Sequence, residues 1–218
     1  MSKYRIKYKK TDAARYISHL DFIRTITRTF RRAELPVKYS QGFNPHMILT
    51  VALPISVGVI SDAEYMEVEL NEEISEDKII SALNQNIPLG LEITAAKKVC
   101  GEDIALNKIS YAKYFVEVEH SGECDIEKLL QNETLMVDKK SKKGITLTDI
   151  KPMIAHLGFI GENNGNAEYE MILSAGNVQN LKPETVIAAF EKYGDNYKAD
   201  FISVTRKEMY FEDFKSVM

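Results

Sequence analysis

The segment SQGFNPH at residues 40–46 concentrates residue types that could contact a ligand. Gly42 permits a positive φ or a close backbone approach, and the Asn44-Pro45 pair favours a turn that fixes its neighbours. Phe43 could stack on a base. The polar side chains that could hydrogen-bond base edges or ribose hydroxyls are Tyr39, Gln41 and Asn44. The segment predicts a loop that holds an anionic, nucleic-acid ligand. A rigid turn with Phe43 in the core is the alternative.

The histidine of this segment, His46, and an upstream histidine, His19, suggest acid-base catalysis. His19 and His46 could act as acid and base on a ribose 2′-hydroxyl without a metal. Nothing in the sequence shows that the two meet, and their spacing matches no recognisable metal-ligand pattern. The candidate catalytic residues are therefore these two histidines, and no metal site or cofactor is predicted.

Four arginines lie between the histidines at helical spacing. At about 100° per residue the side chains of Phe22, Ile26 and Phe30 share one arc. The opposite arc carries Arg24, Arg28, Arg31 and Arg32. Guanidinium groups about one turn apart could bind successive phosphates, and Lys38 extends the charge toward the loop. A solvated amphipathic helix explains the same pattern without a ligand.

Charge is unevenly distributed along the 218 residues, whose net charge is -4. Residues 1–50 hold eleven Lys or Arg and three acids, a balance of +8, so the remainder carries -12. A basic end on an acidic body predicts a molecule that presents one face to an anion.

The elements that must position these residues follow from hydrophobic periodicity. Residues 3–10 alternate as a strand, and a helix runs over residues 18–33 from a Ser18 N-cap. Segments near residues 38–39 and 47–52 are predicted to be extended, and residues 64–70 alternate again. A second helix after Ser75 and a strand near residues 91–99 complete the order strand, helix, strand, strand, helix, strand.

The same order recurs after residue 109, with strands predicted over residues 151–159 and 167–174 and a helix from Pro183 to Gly194. The chain is predicted to be α+β, with two tandem ferredoxin-like βαββαβ units over residues 1–100 and 109–218, the first basic at its N-terminal part and the second acidic. An insert at residues 137–150 fits a hairpin or mobile loop. A cluster of lysines in this insert favours a solvated loop, and a contact with nucleic acid is the alternative. The lysines are Lys139, Lys140, Lys142 and Lys143.

The longest apolar stretch, residues 47–60, is shorter than the roughly 20 residues of a membrane helix and contains Pro54. A soluble, cytoplasmic protein is expected. Cys100 and Cys124 have no partner spacing for zinc and are interpreted as buried structural thiols.

Residues 15–70 resemble the radical-SAM-linked protein family, an uncharacterised bacterial domain family, most closely in SHLD, RRAELPVKYSQGFNPH and ALPISVGV. That resemblance implies a radical-SAM partner, encoded beside or fused to the domain, and an RNA-related setting. The chain has no CxxxCxxC and cannot hold the radical-SAM cluster itself. The tandem layout is also similar to that of CRISPR repeat-processing (RAMP-type) proteins, which is an analogy of fold.

Three functions remain open from the sequence. The first is an accessory module, not an enzyme on its own, that binds rRNA or tRNA and presents it to the radical-SAM partner, with no cofactor. The second is a metal-independent endoribonuclease using His19 and His46, and the third is a protein-interaction scaffold without RNA binding. The sequence does not specify the RNA, the partner's reaction or the oligomeric state.

Overall fold

The computed structural model describes residues 2–141, 144–176 and 178–218. The chain divides into two compact units, Met1–Ile109 with Lys215–Met218, and Ser110–Phe214. Each is a mixed α/β unit whose described strand pairings are antiparallel. The predicted α+β class is thus confirmed, whereas the assignment to tandem ferredoxin-like units stays a prediction.

The first unit contains four strands and two helices in the predicted order. They are β1 (Ser2–Lys10), α1 (His19–Arg32), β2 (Leu49–Val51), β3 (Ile60–Leu70), α2 (Glu76–Asn84) and β4 (Leu91–Lys98). The strands lie in the order β4-β1-β3-β2.

The core of the first unit lies between its sheet and its helices. Tyr4, Ile6 and Tyr8 alternate into it from β1, as the period of two predicted, and α1 contributes the buried side chains of Ile26 and Phe30. Burying each such side chain stabilises the fold by about 1.5–3 kcal/mol. The ring of Phe22 stacks on that of Tyr8, with centroids 4.8 Å apart. This contact fixes the start of α1 against β1.

The second unit repeats the strand order around an inserted hairpin. Its elements are β5 (Tyr111–Glu123), α3 (Ile126–Gln131), β6 (Met136–Ser141), β7 (Gly144–Asp149), β8 (Ile154–Asn163), β9 (Asn166–Ser174), α4 (Pro183–Tyr193) and β10 (Asp195–Tyr210). The sheet order is β10-β5-β9-β8, and β6 pairs with β7 in the predicted hairpin. Two of the lysines predicted as a possible contact, Lys142 and Lys143, lie outside the described residues.

One element begins later than its sequence pattern indicates. The pattern predicts a strand from residue 151, but Lys151–Met153 forms a short 3₁₀ turn and β8 begins at Ile154. Pro152 lies in this turn because proline has no N–H to donate to a strand ladder.

No helix within the described residues is long and apolar enough to cross a membrane.

Candidate functional site

The start of α1 is fixed by the cap that the sequence predicts. Ser18 Oγ accepts a hydrogen bond from the Asp21 backbone N–H at 3.2 Å and donates one to Asp21 Oδ2 at 2.7 Å. The Ser18 hydroxyl, followed by the Arg24 guanidinium, lowers the pKa of the Asp21 carboxyl below its usual value. The N-terminus of α1 is therefore held in one register.

The four arginines of α1 are exposed, as the helical arc predicts. We call them the arginine stripe: Arg24, Arg28, Arg31 and Arg32. Phe22, Ile26 and Phe30 on the other arc are buried. The charge faces solvent because the apolar face of the same helix is committed to the core.

Intramolecular contacts leave most of the stripe's charge uncompensated. Arg24 Nη1 lies 3.0 Å from Asp21 Oδ1, an exposed pair, whereas Arg32 Nη2 donates to the Asn86 carbonyl at 2.6 Å. Within the described part of the chain, Arg28 has neither an ion pair nor a hydrogen-bond partner for its side chain. Each guanidinium has five N–H donors, so these contacts leave donors for an anion.

The loop at residues 40–46 is closed by one pair of residues. Ser40 N donates to the His46 carbonyl at 2.8 Å, and Ser40 Oγ lies 2.9 Å from His46 Nδ1. Beyond them, Tyr39 and Met47 form an antiparallel bridge. Gly42 has a φ of +124°, a backbone conformation that residues other than glycine rarely adopt. The loop is a fixed turn with a glycine near its tip.

Phe43 points into solvent at the tip of this turn. Its relative exposure is 105%, so the alternative in which Phe43 packs into the core is wrong. Gln41, Asn44 and His46 are also exposed. A fully exposed aromatic ring between two exposed amides can stack on a base while the amides contact its edges.

A contact between side chains joins the loop to the stripe. Arg31 Nε donates to Tyr39 Oη at 3.1 Å, and the guanidinium carbon lies 5.8 Å from the Tyr39 ring centroid. Lys38 forms an ion pair with Glu69 at 2.7 Å, which compensates its charge. Tyr39 thus connects the two predicted halves of the site, while Lys38 contributes less free charge than the sequence implies.

The basic first strand supports the site less than its composition suggests. Arg5 and Lys10 are buried, at 2% and 5% exposure. Arg5 donates to Glu67 Oε1 from Nε at 3.1 Å and from Nη2 at 2.8 Å, and Lys3 also pairs with Glu67. These charges serve an internal network because Arg5 and Glu67 face each other across β1 and β3.

The two histidines lie in different surroundings. The His46 ring contacts Ser40 in the loop, whereas His19 lines a small pocket with Lys10 and Glu64. No hydrogen bond joins the histidines within the described residues. Sequence reasoning missed Glu64, a carboxylate 1% exposed, because glutamate is rarely buried, although alternation along β3 puts it on the same face as Met66 and Val68.

Metal-ligand and thiol chemistry do not add to this site. The described residues contain no group of three or more His, Cys, Asp or Glu that could hold a metal ion. Cys100 is exposed rather than buried as predicted, because its turn at residues 100–103 lies at the surface. Cys124 is partly buried in the second unit.

The Arg31–Tyr39 contact shows that the arginine stripe adjoins the segment that leads into the Phe43 loop of the first unit. No curated protein matches the chain in sequence. A family model matches residues 3–183, and its description is an uncharacterised protein conserved in bacteria. That range spans most of the 218 residues, and the chain belongs to this bacterial family, DUF2344.

Proposed function

We propose that the protein is a non-catalytic RNA-binding module that presents a single-stranded segment of rRNA or tRNA to a radical-SAM partner. The observation that carries the proposal is the full exposure of Phe43 in the loop that follows Tyr39, whose hydroxyl accepts a hydrogen bond from Arg31 of the stripe. Exposing a phenylalanine ring to water is unfavourable. A base offers a flat apolar face of matching size that would cover the ring.

The arginine stripe accounts for affinity and the loop for the choice of nucleic acid. Phosphates attract the stripe without regard to sequence, and each neutralised phosphate releases a counterion. Bases are accessible to Phe43 and to the amides of Gln41 and Asn44 only where they are unpaired. The preferred ligand is therefore a loop or single-stranded region rather than a regular duplex.

The partner and the finer fold belong to the same proposal. The tandem ferredoxin-like arrangement is supported by the same strand order in both units. The acidic second unit would contact the radical-SAM protein, and both proteins would act in the cytoplasm. The resemblance of residues 15–70 to the radical-SAM-linked family motivates this choice of partner.

The experiment is fluorescence anisotropy with labelled single-stranded RNA. The triple variant Arg24→Ala, Arg28→Ala, Arg31→Ala is compared with Lys78→Ala, Lys128→Ala, Lys198→Ala, which removes the same charge from exposed positions elsewhere. The stripe variant should bind far more weakly, and its slope of log affinity against log salt should fall by about 2 units, at about 0.7 per phosphate contact.

Equal losses in the two triple variants would contradict the proposal, because binding would then follow net charge alone. If a regular duplex competes for binding as well as an unpaired strand does, this result would contradict the proposed role of the loop. No binding by the folded wild type would favour the scaffold, in which the stripe contacts an acidic protein.

The endoribonuclease alternative has one observation in its favour. His19 borders a pocket whose wall includes the buried carboxylate of Glu64, and a carboxylate can orient a catalytic histidine. Metal-free incubation of RNA with wild type, His19→Ala and His46→Ala tests it. Cleavage that persists in both variants would exclude these histidines as the acid and base.

A further inference from the structure

The second unit contains a pocket that the RNA-binding proposal does not use. Its volume is about 600 Å³, within the range of pockets that hold small organic ligands. It opens where the C-terminal ends of β5 and β8 meet the starts of β9, α3 and β10. The residues that line it are His120, Gly122, Glu123, Cys124, Asp125, Ile126, Glu127, Phe159, Glu162, Ala167, Tyr169 and Tyr197.

The charges of the lining are all of one sign. Four carboxylates, from Glu123, Asp125, Glu127 and Glu162, surround the pocket, and its lining contains no Lys or Arg. A cleft lined by a single sign of charge concentrates ions of the opposite sign. The pocket therefore favours a cation.

Aromatic rings form the wall behind the carboxylates. His120 and Tyr197 stack with centroids 4.8 Å apart, and Phe159 and Tyr169 lie 5.7 Å apart. Phe190 contacts both tyrosines from behind and holds the wall together. Aromatic faces attract cations through their quadrupole, and they also cover apolar ligand surface.

Two polar atoms in this wall are buried and find no hydrogen-bond partner among the residues that the structure describes. They are His120 Nδ1 and Tyr197 Oη, and the Tyr197 side chain is 4% exposed. Burial, followed by the neighbouring Tyr169 hydroxyl, raises the pKa of Tyr197, although the two hydroxyls are not within hydrogen-bonding geometry. Buried polar groups are almost always paired with protein or water, so this wall lacks a partner that an occupant could supply.

A metal ion does not fit this arrangement. The carboxylates, Cys124 and His120 do not form a group of three ligands that could hold one, within the described residues. An organic cation needs no such convergence, because its charge and its apolar surface can be recognised by different parts of the pocket.

We propose that this pocket binds an organic ammonium ion that carries an aromatic or similar apolar body. The ammonium group lies among the four carboxylates and donates hydrogen bonds, while the apolar body covers Phe159 and Tyr169. The ammonium group belongs either to a free amine or to a lysine side chain of a partner. This inference is independent of the RNA-binding surface on the first unit.

Calorimetric titration with three ligands of similar shape tests the charge requirement. Phenethylammonium is expected to bind, neutral 2-phenylethanol to bind at least about tenfold more weakly, and phenylacetate to show no binding. A blocked lysine peptide is titrated in parallel. Binding of the free amine alone identifies a small-molecule site, and binding of the peptide alone identifies a site for a partner's lysine.

Matched variants locate the binding. Glu123→Gln, Glu162→Gln should lose about tenfold in affinity, whereas Glu133→Gln, Glu184→Gln, which removes two exposed carboxylates outside the lining, should retain it. In a Cys100→Ser background, Cys124 becomes the one remaining cysteine, and bound ligand should slow its alkylation.

The proposal is overturned if neither ammonium probe binds the folded wild type, or if both double variants lose the same affinity. Equal binding of 2-phenylethanol and phenethylammonium would also overturn it, because the pocket would then select apolar surface rather than charge.

Discussion

Arg31 and Tyr39 join the charged helix to the loop that follows it. Arg31 Nε donates to Tyr39 Oη at 3.1 Å while its guanidinium lies near the face of the same ring. One residue of the stripe is thereby oriented by the strand-like segment that leads into the Phe43 turn. In the proposed RNA-binding surface, this contact would orient one arginine of the stripe relative to the segment that leads into the loop.

Removing the hydroxyl of Tyr39 should show how much the orientation of Arg31, as distinct from its charge, contributes to RNA binding. Tyr39→Phe keeps the ring but loses the hydrogen bond, so we expect RNA affinity to fall by a few-fold, about the effect of one hydrogen bond of 0.5–1.5 kcal/mol. Thermal unfolding should change little because the contact is exposed. Anisotropy with a single-stranded RNA measures the change, and a loss as large as that of the triple arginine variant would contradict a purely orienting role.

Phe43 should matter for RNA binding and not for folding. Its side chain is fully exposed, so Phe43→Ala should leave the free energy of unfolding unchanged. Loss of one stacked base should weaken binding by about 1–3 kcal/mol. Phe43→Leu is the matched control, since it keeps an apolar side chain without a ring. Equal affinity of the Ala variant and the wild type would show that the ring does not contact RNA.

The buried Arg5-Glu67 pair should dominate the polar contribution to the stability of the first unit. Arg5 also donates to the carbonyls of Ile104 at 2.5 Å and Val217 at 2.7 Å. Arg5→Met leaves the Glu67 carboxylate buried with fewer partners and should reduce the free energy of unfolding by about 3 kcal/mol. Urea unfolding measures this loss.

The double variant Arg5→Met, Glu67→Leu should recover part of that stability because no buried charge is left. Lys198→Met, which breaks an exposed pair with Asp200, is the control and should have little effect. If Arg5→Met behaves like this control, the buried Arg5-Glu67 pair does not dominate the polar contribution to the stability of the first unit.

Cys124 should react slowly with alkylating agents near neutral pH. Burial, followed by the nearby Asp125 carboxylate, raises the pKa of this thiol to about 11. The thiolate is the reactive form, so a raised pKa lowers its fraction to roughly one in a thousand at about pH 8. In Cys100→Ser, the alkylation rate followed by mass spectrometry should rise about tenfold per pH unit. A plateau below about pH 9 would contradict the raised pKa.

The sequence was sufficient to predict burial where an element has a single apolar face with one regular period. The arc of α1 predicted both its buried residues, such as Ile26, and its exposed arginines, because a helix with a single apolar face has one way to pack. The Ser18 cap was also predictable, because a serine hydroxyl satisfies an N–H that the first turn leaves unpaired.

The sequence was insufficient where two strands bury both faces. Alternation in β1 and β3 placed Arg5 and Glu67 on a solvent face, but both are buried. Charge counts could not reveal that Arg5 faces Glu67, because the register between strands is set by tertiary contacts. The pocket in the second unit was also missed, because tertiary contacts bring together the separated segments that line it.

The most direct test is cross-linking and sequencing of RNA bound to the tagged protein in its own cells. Wild type is compared with Arg24→Ala, Arg28→Ala, Arg31→Ala, and the charge-matched lysine variant is the control. The account predicts enrichment of one rRNA or tRNA region that the lysine variant retains and the arginine variant loses. No enrichment with folded wild-type protein, or the same enrichment in the arginine variant, would contradict it.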